Sequence, residues 1–180
     1  MKNLRFTAVL AISLGLFACG GNSAETTEEN ATTTETPAVD YKGMEMVDLS
    51  EYDVPASMYL ADQSKGKRDI RMSEMGTTQV EVGKNFGIEI VPFGLTVAEK
   101  KAELSGDLVY QTEFTEETDN KLVYIKTIPD SEVEPEHHFY YTVELEGDLY
   151  AVKSLNKAYS KKAIEKMVMA AKSIKPANPA

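Results

Sequence analysis

The chain is poor in the residues that most often build reactive or cross-linked sites. It has one cysteine, two histidines and no tryptophan. A single thiol excludes a disulfide within the chain and every zinc site that requires two thiolates. His137 and His138 are neighbours, so in a strand they point to opposite faces and cannot both bind one metal ion. We therefore expect no metal site and interpret the pair as solvated residues at the start of a strand.

Motifs for covalent and nucleotide chemistry are also missing. There is no G-x-S-x-G nucleophile motif and no glycine-rich loop of the P-loop or dinucleotide-binding type. Alternate acids in segment 130–136 lack the glycine and the distal glutamate of a calcium-binding EF-hand loop, which favours a polar loop there. The sequence therefore predicts a protein that is not an enzyme and has no cofactor. A hydrolase of unrecognised type is the alternative that these absences disfavour.

No apolar run in the sequence is long enough for a membrane-spanning helix. The uncharged apolar stretch near the N-terminus covers residues 6–17, whereas a spanning helix needs about 20 residues. Lys2 and Arg5 come before it and give the segment a basic start. A basic start followed by a short apolar region is typical of a signal peptide.

The only cysteine follows this stretch, in the order Leu16-Phe17-Ala18-Cys19. The order resembles the lipobox of bacterial lipoproteins, with leucine three residues before the cysteine and a small residue directly before it. The resemblance implies a signal peptide over residues 1–18 and a membrane anchor of acyl chains, such as palmitate, on Cys19. Two or more acyl chains anchor a protein stably. A free thiol in an ordinary signal peptide or a membrane segment is the alternative.

Residues 19–42 contain almost no material for a hydrophobic core. Their region 22–40 has five acidic residues, no basic residue and no aromatic residue. Such a composition buries too little apolar surface to offset its ordering entropy, so we expect a disordered tether. The acidic run after the cysteine resembles the surface-export signal of Bacteroidetes-type lipoproteins, which implies the outer membrane and a surface-exposed place in the cell envelope. A plain spacer is the alternative.

Acidic residues outnumber basic ones, and the formal net charge is −10. Nucleic acids and anionic membrane surfaces are bound through basic footprints, so we expect no nucleic-acid partner. The one basic cluster is the segment "SKGKRDIR", with Lys65, Lys67, Arg68 and Arg71. These four residues are candidate contacts for a phosphate, an anionic glycan or an acidic protein partner, and a solvated loop is the alternative.

The composition becomes that of a globular protein over residues 43–176, which predicts a single domain followed by a disordered tail at 177–180. Alternating apolar and polar residues predict most of this domain to be β-structure. The predicted strands cover 56–62, 69–75, 78–82, 86–91, 108–114, 121–128, 138–145 and 149–155. We expect a type II′ turn at Gly147-Asp148 to join the last two.

Two helices are predicted by their caps and their periodicity. Thr96 and Glu99 form a capping box for a helix that ends near Ser105. Ser160 is a good N-cap for a second helix with one apolar stripe. The stripe consists of Ile164, Met167, Val168, Ala171 and Ile174. Because a sheet face is the only large apolar surface on which both helices can pack, we expect an α+β fold with a curved antiparallel β-sheet and two α-helices.

The order of these elements resembles the PsbP-like superfamily. The resemblance covers roughly residues 45–175 and depends on the meander of strands, the hairpin ending "GDLYAVKSL" and the terminal helix ending "MVMAAKSIK". It implies an α-β-α sandwich and a role as an accessory binding protein. We therefore expect a non-catalytic binding or accessory module for a protein partner. The alternative is a small-ligand or metal-binding lipoprotein that uses the histidine pair and the acidic segment 130–136.

Tyr140 and Tyr150 are predicted to lie on the sheet, where they are either surface residues or core residues. If they lie on a face that the helices leave open, they form a recognition surface. If a helix or the N-terminal segment covers them, they are core residues.

Overall fold

The computed structural model describes residues 39–177. The predicted signal peptide, Cys19, all but the end of the predicted tether and residues 178–180 of the predicted tail lie outside the described residues. Within them the chain has an α+β fold, as the sequence predicts: mainly antiparallel strands with two α-helices. Tyr41, which falls in the predicted tether, already packs on the domain, because its ring stacks on that of Tyr59 with 4.1 Å between the ring centroids.

The strands form two antiparallel sheets. The larger has seven strands in the order β3-β4-β5-β9-β8-β7-β6, and the smaller has three in the order β1-β2-β10. The strands are β1 (Met44–Asp48), β2 (Ala56–Ala61), β3 (Arg68–Met72), β4 (Thr78–Val82), β5 (Phe86–Pro92), β6 (Gln111–Thr118), β7 (Lys121–Thr127), β8 (Glu136–Leu145), β9 (Asp148–Ser154) and β10 (Lys175–Pro176). The helices are α1 (Val97–Ser105) and α2 (Lys161–Lys172), and short 3-10 helices cover Ser50–Tyr52 and Gln63–Lys65.

The two helices lie on opposite faces of the seven-stranded sheet. Phe139 and Tyr140 are neighbours in β8, so their side chains point to opposite faces. Phe139 belongs to the large core, which α2 and the three-stranded sheet complete, whereas Tyr140 belongs to a smaller core beneath α1. Strand β8 therefore contributes to both cores of the domain.

The predicted caps and helix faces are confirmed. The Thr96 hydroxyl accepts a hydrogen bond from the amide of Glu99, whose carboxylate accepts from the amide of Thr96. Ser160 caps α2 by accepting from the amide of Ala163. All five residues of the predicted stripe are buried in the large core.

Strand β6 begins three residues later than the sequence predicts. The Asp107 carboxylate accepts hydrogen bonds from the amides of Val109 and Tyr110, at 2.9 and 3.1 Å. This local turn competes with sheet pairing, so the strand starts at Gln111. Leu108, predicted to share a strand face with Phe114, is 100% exposed instead.

The turn between β8 and β9 differs from the predicted type II′ turn at Gly147-Asp148. Leu145 pairs with Asp148, so the two central residues are Glu146 and Gly147, with φ of 54° and 93°. Positive φ at both central positions defines a type I′ turn, whose twist matches that of the flanking strands. The glycine at the second central position adopts its positive φ without steric strain.

Candidate functional site

The predicted basic cluster does not form one surface. The Arg68 guanidinium contacts the Glu45 carboxylate and donates to the carbonyl of Ala61 at 3.1 Å. Arg71 pairs with Asp69 and Glu81, at 2.6 and 2.7 Å. The charges of both arginines are therefore balanced within the domain.

The two lysines of the cluster differ from the arginines. Lys65 and Lys67 are exposed, and neither pairs with a carboxylate of residues 39–177. The structure thus leaves these two lysines as the unpaired cations of the predicted cluster.

His138 is buried, so the prediction that both histidines are solvated is wrong. Its Nδ1 lies 2.9 Å from the Ser154 hydroxyl, and its Nε2 lies 3.3 Å from the Glu136 carboxylate. Its ring stacks on Tyr124, with 5.6 Å between the centroids. Burial lowers the pKa of His138, although the neighbouring Glu136 opposes the shift. Both ring nitrogens have partners, so we interpret this histidine as a structural group.

A metal centre gains no support from the part of the chain that the structure describes. Among residues 39–177, no group of three histidine, cysteine, aspartate or glutamate side chains is arranged to hold a metal ion. His137 is half-buried on the face opposite to His138.

Tyr140 and Tyr150 are core residues and do not form an exposed pair. Tyr140 lies under α1, and its hydroxyl donates to the carbonyl of Leu95 at 2.8 Å. Burial raises the pKa of Tyr140 to about 12. Tyr150 is buried in the large core on the other face.

Phe93, directly after β5, combines high exposure with a left-handed backbone conformation. Its side chain is 76% exposed, and its φ is 54°. Few residues other than glycine adopt this left-handed conformation, and a bulky residue there is a conformational outlier. Residues with such strain cluster at binding and catalytic sites.

The neighbours of Phe93 hold it in this conformation. Pro92 pairs with Tyr150 of β9, and the amide of Gly94 donates to the carbonyl of Leu149 at 2.9 Å. Gly94 also packs closely on Ala151, because a Cβ at position 94 would lie 2.5 Å from the Cβ of Ala151. Both sides of Phe93 are thus fixed to β9, and its side chain extends into solvent.

Acidic side chains lie near Tyr150, the β9 residue that pairs with Pro92. Burial raises the pKa of Tyr150, and the charges of Asp148, Glu146 and Asp53 add to the shift. Leu95 adds a second, partly exposed apolar side chain. We call the group of Asp53, Phe93, Leu95, Glu146 and Asp148 the Phe93 surface.

Three of the four non-glycine residues with positive φ in the described chain lie on the Phe93 surface. For two of them, local structure explains the conformation. Asp53 caps a 3-10 helix, and Glu146 is in the type I′ turn. Phe93 also lies in a turn, but it is neither a helix cap nor part of a type I′ turn, and phenylalanine is an unusual residue for this conformation.

The sequence reasoning did not identify Phe93. The signal available was the tripeptide Pro92-Phe93-Gly94 directly after a strand, because proline and glycine mark a turn and a turn places its side chains at the surface. An aromatic residue between them is a candidate surface contact. The acidic neighbours gave no such signal, since the fold brings them together from distant parts of the chain.

No protein-family model matches the chain, and no curated protein matches it. None of the helices within residues 39–177 has the length and apolar character needed to cross a membrane. The Phe93 surface is therefore the main basis for inferring a function.

Proposed function

We propose that the chain is a lipoprotein of the bacterial cell envelope, anchored through Cys19 to the outer membrane and exposed at the surface. There it acts as a non-catalytic binding or accessory module for a protein partner. The lipobox-like sequence and the acidic segment after it support the anchor. The observation that carries the binding role is Phe93, which is both strained and 76% exposed.

An exposed aromatic residue in a left-handed conformation contributes little to folding. Glycine at position 93 would avoid the strain, and a polar residue would avoid the exposed apolar surface. Aromatic residues are enriched in protein interfaces, where a few buried anchors supply most of the binding free energy. Selection for binding accounts for a phenylalanine at a position that folding disfavours.

The acidic residues near Tyr150, the residue that pairs with Pro92, indicate the chemistry of the partner. Asp53, Glu146 and Asp148 would form an acidic rim around the apolar anchor. A complementary partner has an apolar pocket for the ring, flanked by lysine or arginine side chains. Such complementary charges speed association and exclude acidic competitors.

A relationship to the PsbP-like superfamily belongs to the same proposal. A sheet with one helix on each face supports it, and the accessory role of that superfamily agrees with a binding module. Comparing the strand order of an experimental structure with that of superfamily members would test this relationship, and a different order would reject it.

Crosslinking in intact bacteria tests the binding role. We would compare the native chain with Phe93→Ser, Cys19→Ala and the control Leu108→Ser. Leu108 is fully exposed and lies at the opposite end of the sheet, in the loop before β6. We expect the native chain and Leu108→Ser to capture one dominant partner, and the other two variants to lose it. Equal capture by Phe93→Ser would contradict a role for the Phe93 surface, and equal capture by Cys19→Ala would contradict the role of the anchor.

A further inference from the structure

Four lysines meet at a cavity of about 760 Å³ beside the N-terminus of α2. Lys65 ends the 3-10 helix Gln63–Lys65, Lys84 lies in the turn between β4 and β5, and Lys162 and Lys166 come from α2. We call this space the lysine cavity. It is distinct from the Phe93 surface and shares no residue with it.

Close packing of two glycines brings Lys65 and Lys84 to the same cavity. Gly66 follows Lys65, and Gly83 precedes Lys84. A Cβ at position 66 would lie 2.5 Å from the Cα of Gly83, and a Cβ at position 83 would lie 2.5 Å from the carbonyl oxygen of Lys65. Side chains at these positions would therefore push the two loops apart.

The first turns of α2 supply the other two lysines. Lys162 and Lys166 are four residues apart, so they lie on one face of the helix. Ser160, the N-cap of α2, also lines the cavity. The partial positive charge of a helix N-terminus adds to that of the ammonium groups.

The lysines of the cavity have no carboxylate partners among residues 39–177. None of the four forms an ion pair there, and the Lys166 ammonium donates to the carbonyl of Gly43 at 2.9 Å. Asp62 is an acid near these lysines, and its single negative charge offsets only one of the four positive charges. Hydrogen bonds from Ser64, with smaller effects of Lys166 and Lys65, lower the pKa of Asp62. A local excess of positive charge remains in a chain whose net charge is −10.

In a second cleft of the domain, every lysine is paired with a carboxylate. The cleft beside His138, of about 570 Å³, also contains three lysines. Each of them pairs with a carboxylate that lines the same cleft: Lys153 with Glu89 at 2.9 Å, Lys126 with Asp107 at 3.5 Å and Lys100 with Glu103 at 2.6 Å. The excess of unpaired lysines is thus a property of the lysine cavity and does not extend to this cleft.

Apart from the lysines, Ser160 and Asn85, the residues that line the lysine cavity are apolar or glycine. The apolar walls include Ala61, Val82, Phe86 and Ala163, together with the aliphatic stems of the lysines. Small-molecule sites commonly combine apolar walls with a few charged groups that fix the orientation of the ligand. We propose that the lysine cavity binds a small anionic amphiphile, with its carboxylate or phosphate at the lysines and its apolar body against these walls.

Isothermal titration of the full-length chain tests this site with defined probes. The probes are dodecanoate, dodecyl phosphate, the uncharged methyl dodecanoate and acetate, each below its micellar concentration. We expect dodecanoate or dodecyl phosphate to bind, added salt to weaken the binding, and methyl dodecanoate and acetate to bind at least tenfold more weakly. The double variant Lys84→Gln/Lys162→Gln should lose at least tenfold in affinity for the amphiphile that binds.

The matched control is Lys67→Gln/Lys175→Gln, which removes the same charge at two exposed lysines outside the cavity. It should bind like the native chain, and circular dichroism should show both double variants folded. Equal affinities for dodecanoate and its methyl ester would overturn the proposal. So would equal losses in the two double variants, tight binding of acetate alone, or no binding of either charged amphiphile.

Discussion

Phe93 allows folding and binding to be separated at a single position. Its left-handed backbone costs about 1–2 kcal/mol for a residue with a Cβ. Glycine removes that cost but adds about 0.5–1 kcal/mol of chain entropy to the unfolded state. We therefore expect Phe93→Gly to raise the free energy of unfolding by about 0.5–1 kcal/mol, measured by urea denaturation, while abolishing partner capture.

Leu108→Gly is the control for this prediction. Leu108 is fully exposed and is not among the residues with positive φ. Glycine at position 108 adds chain entropy to the unfolded state and relieves no backbone strain in the folded state. The free energy of unfolding of this variant should therefore fall by about 0.5–1 kcal/mol. If Phe93→Gly lost as much stability as Leu108→Gly, the strain assigned to Phe93 would be absent.

His138 gives the domain a pH dependence of known sign. Burial lowers its pKa, so the folded chain binds this proton more weakly than the unfolded chain. Stability from this group is complete above the unfolded pKa of about 6.5 and decreases as the pH falls below it. We expect the slope of unfolding free energy between pH 7.5 and 5.5 to be smaller in His138→Gln. His137→Gln, at the half-buried neighbour, should keep most of the native slope, and a native chain without any slope would contradict the prediction.

At the scale of elements, the contact between the loop at Gly66 and the turn at Gly83 can be tested with two glycines. Gly83 has a φ of 57° and a Cβ position 2.5 Å from the carbonyl oxygen of Lys65, whereas Gly76 has a φ of 73° and no atom within 4 Å of its Cβ position. Both changes to alanine incur backbone strain of about 1 kcal/mol. Gly83→Ala adds a collision, so its melting temperature should fall clearly below that of Gly76→Ala. Equal melting temperatures would show that the loop moves without cost.

The sequence predicts those elements whose signals are local. Both caps and the apolar stripe of α2 are encoded within single segments, and hydrophobic periodicity located most strands. Strand β1 was missed because its pattern, Met44–Asp48, lacks a clean alternation of buried residues. The start of β6 was wrong because a local turn at Asp107 outcompeted the strand pattern.

The candidate sites depend on contacts that no local pattern encodes. The lysine cavity combines residues from a 3-10 helix, a hairpin turn and the C-terminal helix, which are far apart in the sequence. Of the predicted basic cluster, only Lys65 lines it. Arg71 pairs with Glu81 of the neighbouring strand β4, and Arg68 contacts Glu45 of the smaller sheet. Charge clustering in sequence therefore located one of four cavity lysines.

At the scale of the whole molecule, β8 couples the two cores, because adjacent side chains enter opposite cores. Met167 is fully buried in the large core, and Leu104 is buried in the smaller core beneath α1. Truncating either side chain leaves a cavity, so we expect Met167→Ala to lower the free energy of unfolding by about 2–5 kcal/mol. Leu104→Ala should lower it by less, because fewer side chains pack around Leu104 in the smaller core. Met75→Ala, at an exposed side chain, should change stability by less than about 0.5 kcal/mol.

Because one sheet is shared, loss of either core should unfold the entire domain. Far-ultraviolet circular dichroism reports the strands, and the near-ultraviolet signal of the nine tyrosines reports packing in both cores. The two signals should coincide in urea titrations of the native chain, Met167→Ala and Leu104→Ala, as a two-state transition requires. In Leu104→Ala, a near-ultraviolet transition at a lower urea concentration than the far-ultraviolet transition would mean that the smaller core beneath α1 unfolds alone. Helix α1 would then unfold independently of the sheet that fixes Phe93. Coincident transitions would instead show that both cores and the turn at Phe93 unfold as one cooperative unit.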